Sequence, residues 1–324
     1  MACPYPTIHG QSRGGGSFTA HNFPRTTLRG ARRMKIGIDS YCYHRYFGEI
    51  YPNQTDPGRR MSYQDFLRRA VQLGVDGVSL ETCFFENFSD RYLASLKEII
   101  DEGRLEVVVA WGHPKGFEGG KKPEAMEEMK AMFRVCHALG AKVMRVVGSS
   151  LDYRNDPHGP QIDALTQLFK EGARMAEGEG VRLAVENHFD FTAEEFLDLI
   201  QRVNSPYFGL TLDTGNALRI GDDPVEAARM LAPHVFATHT KDVAPLYGVS
   251  PKEWYFFACV PIGQGIINIP ALVDVLLAGG YQGLFAIELD YMDPRYRDED
   301  WAVEESVKYL RNLRQHRAIG ITGG

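Results

Sequence analysis

Four stretches in the second half of the chain share one pattern, an apolar run that stops at a side chain able to hold a cation. They are Val185-Glu186-Asn187-His188, Leu212-Asp213-Thr214-Gly215-Asn216, Thr238-His239-Thr240-Lys241-Asp242 and Ile287-Glu288-Leu289-Asp290. If the ends of these runs are neighbours, Glu186, Asp213 and Glu288 crowd three negative charges around His239, and something positive must sit among them. One solution is a divalent ion. Three carboxylate oxygens and one imidazole suit Mn²⁺ best, with Mg²⁺ or Co²⁺ also admissible, and suit a cysteine-type zinc site poorly. The other solution is a buried ion network in which the acids pair with strand-end cations such as Arg145 or Lys241.

The elements that must position these residues follow from the periodicity. From Met34 onward, short apolar runs alternate with longer stretches of helical period, the pattern of a parallel sheet with helices packed outside it. Eight strands are expected at 35–39, 77–80, 105–110, 142–147, 182–186, 209–213, 235–239 and 284–288. Eight helices are expected at 63–73, 90–102, 123–139, 161–179, 193–203, 224–231, 270–278 and 301–316. Ser62 and Ser89 are candidate N-caps, and Thr192-Ala193-Glu194-Glu195 reads as a capping box. Leu73-Gly74, Leu139-Gly140 and Gly279-Gly280 supply left-handed stops. Eight such units in about 290 residues favour a single closed (β/α)8 barrel over a doubly wound sheet, and its active site belongs at the C-terminal ends of the strands. All four stretches end there. Adjacent strands lie about 4.8 Å apart, which brings Glu186, Asp213, His239 and Glu288 together. Long connections at 43–60 and 243–267 are expected to cover the mouth. The second carries the aromatic run Trp254-Tyr255-Phe256-Phe257, exposed by its position.

Residues 1–33 read differently. They hold five arginines, no acid, a Gly14-Gly15-Gly16 run and no periodicity, so a mobile leader is expected, with a targeting peptide or a partner-binding basic arm as alternatives. The net charge of −6 includes their +5, leaving −11 for the barrel at 34–324, which disfavours a nucleic-acid surface. The five cysteines are scattered without a CxxC pair, which suggests a reducing compartment. No membrane-spanning run and no secretory signal is evident, so a cytoplasmic protein is expected.

The constellation Glu186, Asp213, His239 and Glu288, with Gly263-Gln264-Gly265 before the last helix and strand, resembles the xylose-isomerase-like TIM barrels, a superfamily of sugar isomerases and epimerases. The resemblance covers essentially all of residues 34–324. It implies that these four residues hold one divalent ion. Glu186-Asn187-His188, His239-Thr240-Lys241-Asp242 and Glu288-Leu289-Asp290-Tyr291 most resemble the catalytic subunits of C-glycoside deglycosidases and related 3-oxo-glucoside lyases. Ile38-Asp39-Ser40-Tyr41 and Phe47-Gly48-Glu49 point the same way.

A divalent ion at a barrel mouth can chelate adjacent sugar oxygens and stabilise the enediolate left when a proton beside the carbonyl is removed. Reprotonation on the other face gives an epimer, reprotonation on the next carbon an aldose/ketose isomer, and loss of a β substituent an elimination. Resemblance to the deglycosidases makes His188 the base and β-elimination from a 3-oxo-glucoside the leading expectation, with a small second subunit or a homo-oligomer as partner. Resemblance to the ketose 3-epimerases instead makes Glu186 and Glu288 a base and acid on opposite faces. His113, Trp111, Lys241, His44 and Arg145 are the candidate substrate contacts, with Tyr41 and Tyr43 as further pocket walls. A metal-dependent endonuclease would need more metal-binding histidines and a basic face. A metal-free binding barrel is the remaining alternative.

Overall fold

The computed structural model describes residues 34–296 and 298–322, so the basic segment 1–33 lies outside the described residues. Eight parallel strands close on themselves: β1 (Lys35–Asp39), β2 (Gly77–Glu81), β3 (Glu106–Ala110), β4 (Val143–Val146), β5 (Arg182–Glu186), β6 (Phe208–Asp213), β7 (Val235–Thr240) and, last in the ring, β10 (Leu284–Ile287). The order around the ring is β1-β10-β7-β6-β5-β4-β3-β2. The expected barrel is therefore present, with no strand limit shifted by more than one residue.

The strands are apolar on both faces because both faces are covered. Outward residues such as Ile38, Leu80, Val109, Leu183, Leu212 and Ile287 join the core beneath the helices. Inward residues Val108, Val143, Ala184, Ala237, Leu284 and Ala286 form a second, smaller apolar cluster, a dry floor inside the barrel. Two residues further along, the strand period of two returns the chain to the same face. Arg145, Glu186, His239 and Glu288 thus stand directly above Val143, Ala184, Ala237 and Ala286.

Ten α-helices accompany the strands among the described residues: α1 (His44–Phe47), α2 (Tyr63–Leu73), α3 (Asp90–Gly103), α4 (Ala125–Leu139), α5 (His158–Glu179), α6 (Ala193–Val203), α7 (Thr214–Arg219), α8 (Pro224–Leu231), α9 (Ile269–Ala278) and α10 (Glu299–Thr322). Thr192 and Glu195 form the expected capping box, and Ser62 forms another with Asp65. Gly74 and Gly140 are left-handed stops, but after α9 that role falls to Gly280, at φ 99°, while Gly279 stays helical. The short helices α1 and α7 were not legible as periodic segments.

The connection after β7 is more ordered than expected. It folds into an antiparallel ribbon of β8 (Asp242–Pro245) and β9 (Phe257–Val260). The Asp242 carboxylate anchors the chain's return, accepting hydrogen bonds from the N–H groups of Gly263, Gly265, Val243 and Ile267 at 2.9–3.1 Å. A side chain at Gly265 would place its Cβ 2.0 Å from Asp242 Oδ1, which explains the glycine. No helix among the described residues is long and apolar enough to cross a membrane.

Candidate active site

The top layer of the barrel is charged and almost sealed from water. Asp39, Glu81, Arg145, Glu186, Asp213 and His239 come from β1, β2, β4, β5, β6 and β7, and Glu288 directly follows β10; all are buried. Ligand atoms of Glu186, Asp213, His239 and Glu288 lie within 4.8 Å of one another. His239 Nδ1 is 3.1 Å from Glu186 Oε1, 2.7 Å from Glu288 Oε2 and 3.9 Å from Asp213 Oδ2. Its Nε2 faces Asp39 Oδ2 at 3.5 Å, an outer carboxylate placed to orient the ring.

Asp213 Oδ2 and Glu288 Oε2 are buried without a well-directed hydrogen bond, although Lys241 Nζ and His239 Nδ1 approach them. Orphaned buried carboxylate oxygens are costly and call for an explanation. Two such oxygens, Glu186 Oε1 and an imidazole nitrogen converging on one point make a fitting cradle for a divalent ion.

The ion network is present as well, on the other oxygen of Glu186 and, through Lys241, on the cradle oxygen of Asp213 itself. Arg145 pairs with Glu186 through Oε2 and with Glu81 at 3.3 Å. Lys241 Nζ lies 2.8 Å from Asp213 and 2.9 Å from Asp290, and Arg219 holds Asp290 from behind. Glu186 therefore turns one oxygen to Arg145 and the other to the cradle. Asp213 similarly uses Oδ1 to cap α7, accepting the Asn216 N–H at 2.8 Å. A donor set that could hold an ion and a buried ion network thus share the same residues.

This crowding spreads the acidities apart. Burial pushes Asp39 and Asp213 up to about 7. Burial also opposes ionisation of Glu186, but Arg145 and His239 outweigh it and hold the carboxyl well below the usual range. For His239, burial disfavours the charged ring, yet Glu288 and Glu186 keep it protonated well above the ordinary histidine value.

Above this layer opens a cavity of about 200 Å³, lined by His188, Phe189, Lys241, Glu288, Asp290, Arg145, His113, Tyr41, Tyr51 and Trp254, among others. His188 follows Glu186 on the same side, and its Nδ1 is buried without a hydrogen-bond partner. Burial pushes this ring down to about 4, leaving it neutral near pH 7. The next residue, Phe189, sits at φ +62°, a left-handed conformation that is strained for an aromatic side chain. Asp190 holds the turn by accepting the N–H groups of His188 and Phe191, each at 2.9 Å. The strained turn directs both His188 and Phe189 into the cavity wall.

Of the residues singled out in the sequence, Glu186, Asp213, His239 and Glu288 form the cradle, and His188, His113, Arg145, Lys241 and Tyr41 line the cavity. Three others are not brought there. His44 is buried with its two ring nitrogens 2.7 Å from the carbonyls of Glu49 and Asp290, so it ties two loops together instead of facing substrate. Trp111 is buried against Phe117 at 5.2 Å and lies outside this cavity. Tyr43 is buried and donates to Asp300. The run at 254–257 is half-buried, not exposed: Trp254 packs against Tyr51, Tyr291 and Phe189 as part of the wall. Asp39, Glu49, Tyr51, Arg219 and Asp290 belong to the site but were not picked out as site residues from sequence. Asp39, at a strand end, Asp290, two residues past Glu288, and Glu49, in the stretch Phe47-Gly48-Glu49, carried a signal; Tyr51 and Arg219 carried none.

The family model for the xylose isomerase-like TIM barrel matches residues 67–313. The chain belongs to this family. Among its relatives, the L-ribulose-5-phosphate 3-epimerase UlaE of Escherichia coli O157:H7 is 26% identical over 231 residues, covering 68% of this chain and 76% of UlaE. SgbU of Escherichia coli K12 is 27% identical over 185 residues, which span 53% of this chain and less than two thirds, 62%, of SgbU. Two solved structures show the same fold. An L-ribulose 3-epimerase superposes with TM-score 0.67 at 18% identity, covering 90% of this chain and 98% of its own. The 3-keto-D-glucoside 4-epimerase YcjR of E. coli superposes with TM-score 0.62 at 16% identity, covering 86% and 100%. An enzyme of the sugar isomerase/epimerase type is the class these relatives define.

Proposed function

We propose that this chain is a divalent-metal-dependent epimerase that removes and returns the proton on the carbon beside the carbonyl of a ketose or keto-sugar. The observation that carries the reading is the convergence of Glu186, Asp213, His239 and Glu288 on one point at the floor of a cavity whose wall holds the unpaired His188. Those four residues hold the ion, with Mn²⁺ the first candidate and Mg²⁺ or Co²⁺ the alternatives. A bound divalent ion supplies charge stabilisation for the oxygens of an enediolate. Lys241, braced by Asp213 and Asp290, adds a fixed positive charge at the same wall. His188, which lines the cavity, takes the carbon-bound proton. The apolar floor keeps water from reaching the reacting centre from below.

Relatives named as ketose 3-epimerases support this outcome over β-elimination, the reading that the local resemblance around His188 favours. The free thiols of Cys42, Cys136 and Cys259, all buried, fit a reducing compartment such as the cytoplasm.

The test is incubation of the purified, Mn²⁺-supplemented chain with L-ribulose, D-psicose and a 3-keto-D-glucoside, followed by chromatography. Epimer formation that chelator abolishes is expected. Aglycone release without any epimer would replace epimerisation by elimination, and activity indifferent to chelator would remove the metal.

A further inference from the structure

The cradle occupies half of the barrel mouth. Its donors come from β5, β6, β7 and β10, neighbours in the ring, and His188 follows β5. Four strands round from β5, on the opposite side, stands β1, and the loop after it carries Tyr41, Glu49 and Tyr51.

These three residues form a hydrogen-bonded wall with His113, which follows β3. Tyr41 Oη donates to Glu49 Oε1 at 3.0 Å and makes a short hydrogen bond with Tyr51 Oη. His113 Nε2 lies 3.1 Å from the same Glu49 oxygen and 3.4 Å from Tyr41 Oη, with its ring 4.9 Å from the Tyr41 ring. Nδ1 of His113 makes no hydrogen bond to another described residue, and the ring lines the same cavity as His188. One histidine is thus held at one nitrogen by a carboxylate of the loop after β1, with the other nitrogen free, in the wall of the cavity that a second histidine beside the cradle also lines. The epimerase reading leaves this wall without a task.

We propose that His113 is the second proton-transfer residue of the site, delivering a proton to the face of the sugar carbon opposite the one from which His188 removes it, with Glu49 as its positioning residue. The inference rests on the epimerase reading. The step balances without a co-reactant. The His188 ring takes the proton, and the C–H electron pair enters the enediolate. The enediolate then takes the proton of His113 Nδ1–H, whose electron pair stays on the imidazole, and solvent restores both rings. Glu49 fixes Nε2–H as a donor, so the charged ring offers its other proton to the cavity. Burial opposes that charge, but the Glu49 hydrogen bond and the Glu81 carboxylate on β2 outweigh it and raise His113 above the ordinary histidine value. Arg145 on β4, Lys115 beside it in the same loop, Tyr41 and His188 are the other ionisable groups facing this ring.

The assay is turnover of L-ribulose, D-psicose and a 3-keto-D-glucoside by the Mn²⁺-loaded full chain in D₂O. Deuterium entering the recovered starting sugar is counted separately from epimer formed. In His113→Gln, epimer formation should fall about 10²-fold or more while deuterium uptake into the starting sugar stays of wild-type order, because His188 still removes and returns a proton on its own face. In Glu49→Gln, the alkaline limb of the pH–rate profile should move to lower pH, a change that a purely structural role would not produce. An unchanged Mn²⁺-induced thermal shift in both variants establishes that they are folded with the cradle intact. Wild-type epimer formation in His113→Gln overturns the assignment, as does a parallel loss of exchange and epimer in a folded variant. A wild-type chain that neither exchanges nor epimerises these sugars overturns the epimerase reading itself, and this assignment with it.

Discussion

Replacing Asp213 by Asn tests the cradle directly, because the two oxygens of Asp213 have separate tasks. Oδ1 caps α7 through the Asn216 N–H at 2.8 Å, a bond that an amide oxygen retains. Oδ2 faces the cradle and Lys241 Nζ at 2.8 Å, and there an amide NH₂ would set a donor against a cation. Loss of an outer-shell partner costs a metal site about 10- to 100-fold in affinity, so loss of a charged donor should cost about 10²-fold or more. At a Mn²⁺ concentration of about 100 times the wild-type Kd, binding stabilises the wild type by about 2.7 kcal/mol, whereas the variant, near its own Kd, gains about 0.4 kcal/mol. At roughly 2–4 °C per kcal/mol for a large domain, the wild type should melt about 5–10 °C higher with Mn²⁺ than with chelator, and the variant only about 1–2 °C higher. With chelator present the two should melt close together, because Lys241 keeps Asp290 at 2.9 Å. The assay is a pair of thermal melts for each protein. Equal Mn²⁺ shifts in the two proteins, or none in the wild type, would refute the four-residue cradle.

Three further outcomes are expected. His188→Ala should keep the Mn²⁺-induced thermal shift and lose epimerase activity by about 10²-fold or more, whereas Glu186→Gln or Glu288→Gln should lose both; full activity in His188→Ala would return the base role to the carboxylates. Arg145→Met should lower stability by about 3–5 kcal/mol in urea unfolding, because it strands the buried Glu81 and Glu186 carboxylates, and a change below about 1 kcal/mol would show that water or relaxation supplies their partner. The His113–Glu49 pair should make stability depend on pH: His113, raised when folded, contributes fully below the ordinary histidine value and loses that contribution as pH rises through its folded value, while Glu49, lowered when folded mainly by His113, contributes above the ordinary carboxylate value. Glu49→Gln should therefore cost about 1 kcal/mol at pH 6 and less at pH 9, and an equal cost at both pH values would argue against an ionised pair.

How much of this was readable in the chain depends on where each residue sits. The cradle was legible because a parallel strand covered on both faces is apolar until the barrel ends, so the first charged inward residue marks the mouth; Glu186, Asp213, His239 and Glu288 all occupy that position. The loops offered no such rule. His44 and Trp111 are polar or aromatic residues near strand ends, as substrate contacts would be, yet carbonyl partners hold His44 and the Phe117 ring covers Trp111. Glu49 and Tyr51 lie in a connection without periodicity, and only the folded loop brings them to Tyr41 and His113. Arg219 was hidden for another reason: it ends a six-residue helix whose N-cap is Asp213 itself, too short to leave a helical pattern. The ribbon of β8 and β9 has four residues per strand, separated by an aromatic loop, and falls below the length at which alternation shows.

The charge of the mouth ties the cradle to the ion network. Six buried acids, Asp39, Glu81, Glu186, Asp213, Glu288 and Asp290, meet two buried permanent cations, Arg145 and Lys241, with Arg219 closing the set behind Asp290. The cations are unevenly placed. Arg145 serves Glu81 and Glu186, Lys241 serves Asp213 and Asp290, and Arg219 serves Asp290, so the shortage falls on the Glu186 and Glu288 oxygens that face His239. Uncompensated charge in a water-poor interior is among the most costly features a fold can carry, and protonation of His239 supplies one positive charge there where a divalent ion would supply two. The network thus leaves its deficit at the point where the four donors converge. Without Arg145 and Lys241 the same acids would repel one another still more strongly.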